Sequence, residues 1–273
     1  MGTRFIQRYK CNCCQKKFSN ATGTLEFGQK KRRVNSKLFG LLNSNMSMRR
    51  AAKFLNISRT TVDRKFIYLA KKAELQNKKF IASQKQKVMH LQFDDLITSE
   101  HTKLKPLAIS LAVDADRRFI LGLEVSVIGA FGHLVQISRR KYGPRINNHK
   151  EGLERLFTSI SGTIHLNAKV STDEDTKYAG FVKKHLPHRE HLQYKGGRGA
   201  IVGQGELKKL KYDPLFMLNH SCAMLRANIN RLARKTWCTT KLKERLKMHL
   251  DIFMSFYNLH YLRGKAPLKE VSS

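Results

Sequence analysis

The sequence predicts a mixed α/β domain of element order βββαβαβ, flanked by helices and preceded by a small all-helical module. Three observations carry that expectation. The spacing of apolar residues changes from helical to alternating near residue 88. Two acidic strings, Gln92-Phe93-Asp94-Asp95-Leu96 and Ser171-Thr172-Asp173-Glu174, each follow a run of β-type residues. Positive charge is concentrated at the front: residues 1–90 hold 22 Lys and Arg against 3 Asp and Glu, which is 19 of the 33 surplus charges in the 273-residue chain.

The charge bounds the partner. With 53 Lys and Arg against 20 Asp and Glu, the chain calls for a polyanion. Nucleic acid is expected rather than a membrane, because no stretch approaches the roughly 18 apolar residues of a spanning helix. No cationic-then-apolar leader opens the sequence, so a cytoplasmic, nucleoid-associated setting is expected. Hydrophobic residues make up 41% of the chain, enough for a packed core, which excludes global disorder. The five cysteines (Cys11, Cys13, Cys14, Cys222 and Cys238) are odd in number and argue against a disulfide framework.

Residues 1–28 contain a CxxC pair, Cys11 and Cys14, that suits one knuckle of a zinc ribbon. A structural zinc site needs four ligands and no second CxxC occurs, so Zn2+ is not expected at Cys11 and Cys14 and the segment reads as a ribbon remnant. Residues 29–87 read as a helix-turn-helix module and linker. Val34, Leu38, Leu41 and Leu42 mark a first short helix; Ala51, Ala52 and Leu55 mark one face of a second. Asn56 can break that helix and Ser58 is suited to cap the next, where Val62, Phe66 and Leu69 recur at helical spacing. Arg59, Thr60, Thr61, Arg64 and Lys65 then sit near an outward-facing helix start, the position from which such a helix reads base edges. A structural helix pair with a solvated basic face is the alternative. Lys71 to Lys87 reads as a helical extension or a linker.

Residues 88–273 form the α/β domain. Val88–Phe93 alternates, Pro106–Asp114 is rich in β formers, and Phe119–Val127 follows the turn-like Asp114-Ala-Asp116, giving an antiparallel meander. Leu153, Leu156, Phe157 and Ile160 mark a helix over 150–160. Residues 168–172 form a strand ending at Asp173, residues 176–186 a helix stopped by Pro187, and residues 191–194 a last strand. This order is that of a ribonuclease-H-like fold, whose first and fourth strands aim at one spot. Residues 196–205 are glycine-dense but lack the Gly-Lys-Ser/Thr ending of a phosphate-binding loop, so a mobile loop is expected and closure over DNA is the alternative. Residues 215–235 and 241–262 read as long amphipathic helices.

Asp94 and Asp173 lie 79 positions apart, so only the fold can join them. Hard oxygen ligands on neighbouring strands are what two Mg2+ ions about 3.5–4 Å apart require for phosphoryl transfer. A third ligand is expected from the helix near residue 219, where the string is Leu218-Asn219-His220 with Arg226 seven positions on. Glu206 and Asp213 are acidic alternatives to Asn219. Asp95 takes a supporting place beside Asp94, while Asp114, Asp116 and Asp175 read as strand-end or cap residues. His220 is a base or a packed helix-start residue. Trp237 stacks on an unpaired base or joins the core.

Read in order, Tyr9–Ser19, Gln92–Leu96, Leu111–Asp114 with Ile120–Gly122, Thr172-Asp173 with Tyr178, and Leu225-Arg226 through Arg231–Cys238 resemble the strings of bacterial insertion-sequence transposases of the DDE type. The resemblance is to the small kind with a ribbon remnant, a helix-turn-helix and a ribonuclease-H-like catalytic domain, and it covers most of the chain. It implies a DNA transposase that binds the terminal inverted repeats of its element and carries out Mg2+-dependent (or Mn2+-dependent) strand cleavage and strand transfer. The implied partner is double-stranded DNA, both element ends and target, bound as a homo-oligomer and without a membrane. The family's first two acids fall on Asp94 and Asp173, its third on Asn219, and its helix-borne basic residue on Arg226. Metal ligation is thereby implied for Asp94, Asp173 and Asn219, with Asn in place of the usual Glu, as in some related transposases. Two other readings remain: an inactive or repurposed sequence-specific DNA-binding protein derived from a transposase, and a different ribonuclease-H-like nuclease.

Overall fold

The structure, a computed structural model, describes residues 7–195, 213–233 and 238–263. Its centre is a mixed five-stranded sheet made by β3 (Val88–Ser99), β4 (Pro106–Asp114), β5 (Ile120–Val127), β6 (Ile164–Asp173) and β7 (Glu190–Tyr194). The spatial order is β5-β4-β3-β6-β7. β3, β4 and β5 form the antiparallel meander, and β6 and β7 then run parallel to β3. This is the ribonuclease-H-like arrangement expected from the element order.

Helices cover both faces because the strands of the meander carry apolar residues on both sides. All nine residues of β4 are buried, as a central strand between two helical layers must be. On one face, α5 (His149–Ile160) and α6 (Thr176–His185) pack Leu153, Leu156, Phe157 and Tyr178 against Leu91, Phe93 and Val170. On the other, α7 (Phe216–Asn228) and α8 (Lys243–Phe256) pack Leu218, Leu225, Leu250 and Phe253 against Ile109, Leu111 and Val113 of β4. Close approach of α5 depends on two glycines. A Cβ at Gly122 of β5 would lie 2.5 Å from Leu156 Cδ1, and one at Gly152 of α5 would strike Ser126 Oγ.

Before the sheet in the chain come a hairpin, β1 (Arg8–Lys10) with β2 (Lys17–Ser19), and three helices, α1 (Asn35–Leu42), α2 (Met48–Phe54) and α3 (Arg59–Ala82). The turn between α2 and α3 follows its sequence. Asn56 takes φ 49°, which an Asn side chain tolerates, and the Ser58 hydroxyl accepts the Thr61 amide at 3.1 Å as an N-cap. Val62, Phe66 and Leu69 do face inward, where they meet Leu38, Leu42 and Ala51.

Of the two readings for residues 71–87, the helical one holds as far as Ala82. α3 runs along α8 and shares its core: Ile252 of α8 belongs to the helical cluster. Asn77 Nδ2 donates to the Asp251 carbonyl at 3.0 Å, and Asp63 pairs with Arg245 at 3.1 Å. His249 Nε2 donates to the Leu42 carbonyl at 2.9 Å; complete burial lowers its pKa to about 4, so it stays neutral there.

Two element boundaries and one helix differ from the expectation, while the last long helix keeps nearly its expected span. Asp94 does not end its strand, since β3 continues to Ser99 against β4. The first long C-terminal helix stops at Asn228, where Ile229 turns extended (φ −104°, ψ 108°) before a short 3-10 turn at Asn230–Leu232. α8 ends at Phe256 and is carried to Tyr261 by a π turn. Between β5 and α5 lies α4 (Leu134–Tyr142), which the apolar spacing did not mark because only Ser138 of its nine residues is buried. The glycine-dense run 196–205, Glu206 and Trp237 lie outside the described residues.

Candidate active site

The two acids meet at one edge of the sheet because β6 runs parallel beside β3. Their pairing ends at Phe93 opposite Thr172, so Asp94 and Asp173 are the next residue on each of two adjacent strands. Strand neighbours lie about 4.8 Å apart, which brings the carboxylates within strong mutual influence. Both line an open cleft of about 870 Å3 together with Asp95, His149, Lys177 and Tyr178.

Each carboxylate is fixed locally. Asp94 Oδ1 accepts the Asp95 amide at 2.6 Å and the Tyr178 hydroxyl at 3.3 Å. Asp173 Oδ1 accepts the Asp175 amide at 3.0 Å, at the turn into α6. Asp175 itself caps α6 by accepting the Lys177 amide at 3.0 Å, the cap role expected for it. Burial and then the nearby charges of Asp173 and Asp95 push the Asp94 carboxyl up to about 7, against the pull of the Asp95 amide and Tyr178. Tyr178 is itself raised, first by burial and then by the surrounding acids, so it stays a hydroxyl donor.

This like-charge crowding has a stability consequence. The folded state holds the Asp94 proton more tightly than an unfolded chain, whose carboxyl titrates near 3.8. Native Asp94 therefore carries no penalty near pH 4 and an increasing one as the pH rises through 7. In protein stripped of metal ions, Asp94→Asn is expected to raise the melting temperature near pH 8 and to leave it unchanged near pH 4. An equal difference at both pH values would rule out a raised Asp94 pKa.

Asp95 is engaged on the opposite face of β3. Its Oδ1 accepts Ser110 Oγ of β4 at 2.5 Å, and its Oδ2 lies 2.6 Å from His149 Nε2 at the start of α5. Both side chains of the His149–Asp95 pair are about nine-tenths buried. With both oxygens engaged, Asp95 braces the strand beside Asp94. Ser110 and His149 are site residues that sequence reasoning missed; they come from distant elements and no local pattern marks them.

α7 is pinned to the same edge by Gln92. Its Nε2 donates to the Pro214 carbonyl at 2.9 Å and its Oε1 accepts the Leu218 amide at 3.0 Å. Gln92 lies two residues before Asp94, on the same face of β3. Asn219, Cys222 and Arg226 follow at i, i+3 and i+7 on one side of α7. Burial pushes the Cys222 thiol up to about 12, with Asp94 adding to the rise and Arg226 opposing it, which places the α7 face within reach of Asp94's charge. Asn219 is exposed, and its Nδ2 donates to Asp213 Oδ2 at 2.8 Å. Asp213 is further held by the Leu215 amide at 3.0 Å. Arg226 lines a second groove, of about 750 Å3, on the far side of Ile97 and Phe131.

Among the described residues no three His, Cys, Asp or Glu side chains converge as a metal cluster. The donors at this edge are the Asp94 and Asp173 carboxylates, and their combined negative charge is what a hard cation would neutralise.

The α2–α3 pair divides the five residues assigned to DNA. Arg59, Thr60 and Arg64 are exposed at the start of α3, and Thr61 is partly covered by its contact with Ser58. Lys65 is a correction. It is buried, with Nζ donating to the Lys30 carbonyl at 3.0 Å and to Asn35 Oδ1 at 2.6 Å. It ties the segment before α1 to α3 and does not face outward, because it lies three residues after Val62 and four before Leu69, both on the inner face of α3. At the amino terminus, Cys11 and Cys14 lie at the tip of the β1–β2 hairpin, where the Cys14 and Cys13 amides hold the Cys11 thiol below its usual value. No helix among the described residues is long and apolar enough to cross a membrane.

No protein-family model matches the chain, and no curated protein matches it. Among solved structures it is similar to the crystal structure of the Mos1 strand transfer complex, at 10% identity and a TM-score of 0.26, over 84% of this chain and 78% of that one.

Proposed function

We propose that the chain is a DNA transposase of the DDE type from a bacterial insertion sequence, a polynucleotidyl transferase that binds terminal inverted repeats and cuts and joins strands with Mg2+ or Mn2+. The observation that carries this reading is the placement of Asp94 and Asp173 at the point where two adjacent parallel strands of a ribonuclease-H-like sheet part. The formal charge of +33 supports a polyanionic substrate. The exposed start of α3, with Arg59, Thr60 and Arg64, is the reader of the repeat.

Asp94, Asp173 and the Asn219 amide oxygen would hold the metal. When bound, divalent ions supply a more acidic water or hydroxyl and neutralise charge on the leaving oxygen. The remaining tasks fall to this chain's own side chains. Tyr178 and the Asp95 amide orient the Asp94 carboxylate, Asp213 orients Asn219, and Arg226 offers a fixed positive charge to the strand. Two copies acting on paired ends would account for strand transfer.

The test is incubation of the purified chain with labelled DNA carrying the inverted repeats that flank its gene. Strand cleavage requiring Mg2+ or Mn2+ is expected, with binding that weakens steeply as salt rises. Tight, repeat-specific binding without cleavage under either metal would instead establish the repurposed DNA-binding protein.

A further inference from the structure

An exposed aromatic ridge separates the carboxylate cleft from the second groove. Phe131 is 59% exposed and Ile97 is 48% exposed, and both line both spaces. On one side lie Asp94 and Asp173; on the other, the groove wall includes Arg226, Arg231 and Lys103. The backbone beneath Phe131 is fixed. Its carbonyl accepts the Leu134 amide at 3.1 Å, Gly132 makes the turn at φ 54°, and Ser138 Oγ anchors α4 to the Leu104 carbonyl at 2.7 Å. The chain therefore holds a large apolar ring in solvent, between an anionic site and a cationic groove, without burying it in the core.

We infer that Phe131, with Ile97 beside it, is a stacking platform for an unpaired nucleobase next to the phosphate that lies at Asp94 and Asp173; this rests on the proposed function. A nucleic acid strand is the occupant that matches all three surfaces. Its phosphates suit Arg226 and Lys103 of the groove, its scissile phosphate suits the carboxylates, and a flat base face suits an exposed phenyl ring. A protein partner would match the ridge but not the charged walls on either side of it. Stacking on Phe131 would hold a base out of the duplex at the cleavage point, so Phe131 is a positioning residue for the strand that is cut.

Stacking tolerates any base, so the test needs no knowledge of the repeat. Binding of the full chain is measured, with Ca2+ in place of Mg2+, to a labelled duplex and to the same duplex with non-complementary bases at one end. The native chain is expected to prefer the forked DNA by about 5- to 150-fold, the range that stacking of one base supplies. Phe131→Ala should abolish that preference while leaving duplex affinity unchanged, and Phe131→Trp should retain it. Phe54→Ala, which removes another exposed phenylalanine on α2 (69% exposed), should also retain it. The inference is overturned if the native chain shows no preference, or if Phe131→Ala keeps the native one. Failure of the proposed function has a separate signature, the absence of Mg2+-dependent cleavage by the native chain, and the binding preference is read without it.

Discussion

Asp94→Asn and Asp173→Asn are each expected to lower Mg2+-dependent strand cleavage by at least about 100- to 1,000-fold, the loss typical when one preorganised electrostatic stabiliser is removed. Binding to duplex ends should be unchanged. Asparagine keeps the shape of aspartate and can still accept the Asp95 and Asp175 amides, so the strand edge should stay intact. What it removes is the negative charge that holds a divalent ion. The residues that would read DNA lie on α3, away from this edge, which is why binding and cleavage should separate. Single-turnover cleavage and gel-shift titration on the same preparations check both halves. Native cleavage by either variant would sink the assignment of that acid.

Asn219 should respond in the opposite sense from the two acids. Asn219→Glu is expected to keep or raise cleavage, since a carboxylate binds Mg2+ more strongly than an amide oxygen. Asp213→Ala is expected to lower cleavage and metal affinity by about 10- to 100-fold, the usual effect of removing a group that orients a ligand. The physical reason is the 2.8 Å contact from Asn219 Nδ2 to Asp213, which fixes the orientation of the amide group. If Asn219→Glu is inert while Asp213→Ala is fully active, neither residue belongs to the metal site.

Much of this site was legible in the sequence because its signals were local. The alternation from Val88 to Phe93 and the β-rich Pro106–Asp114 run gave strands, and β-type runs ahead of Asp94 and Asp173 pointed to their sharing a sheet edge. Ser58 behind Asn56 announced the α2–α3 turn, since both residues act within their own segment. Other features depended on tertiary packing. Lys65 follows an outward-facing basic run, yet Asn35 and the Lys30 carbonyl capture its ammonium group inside. α4 has little apolar periodicity, because it lies on the surface and is anchored by one serine. His149 and Ser110 reach Asp95 only once β4 and α5 have packed on β3. Gln92 stood in plain view within its motif, but its clamp on α7 becomes visible only when Pro214 and Leu218 are placed beside it.

The central claim is that Asp94 and Asp173 together hold a divalent metal ion, and calorimetric titration of the full chain with Mn2+ tests it most directly. Native protein should bind Mn2+ more tightly near pH 8 than near pH 6, because burial and its acidic neighbours hold the Asp94 carboxyl up to about 7 and the metal must displace that proton. Asp94→Asn and Asp173→Asn should each abolish this binding. Undiminished Mn2+ binding by both variants would contradict the account.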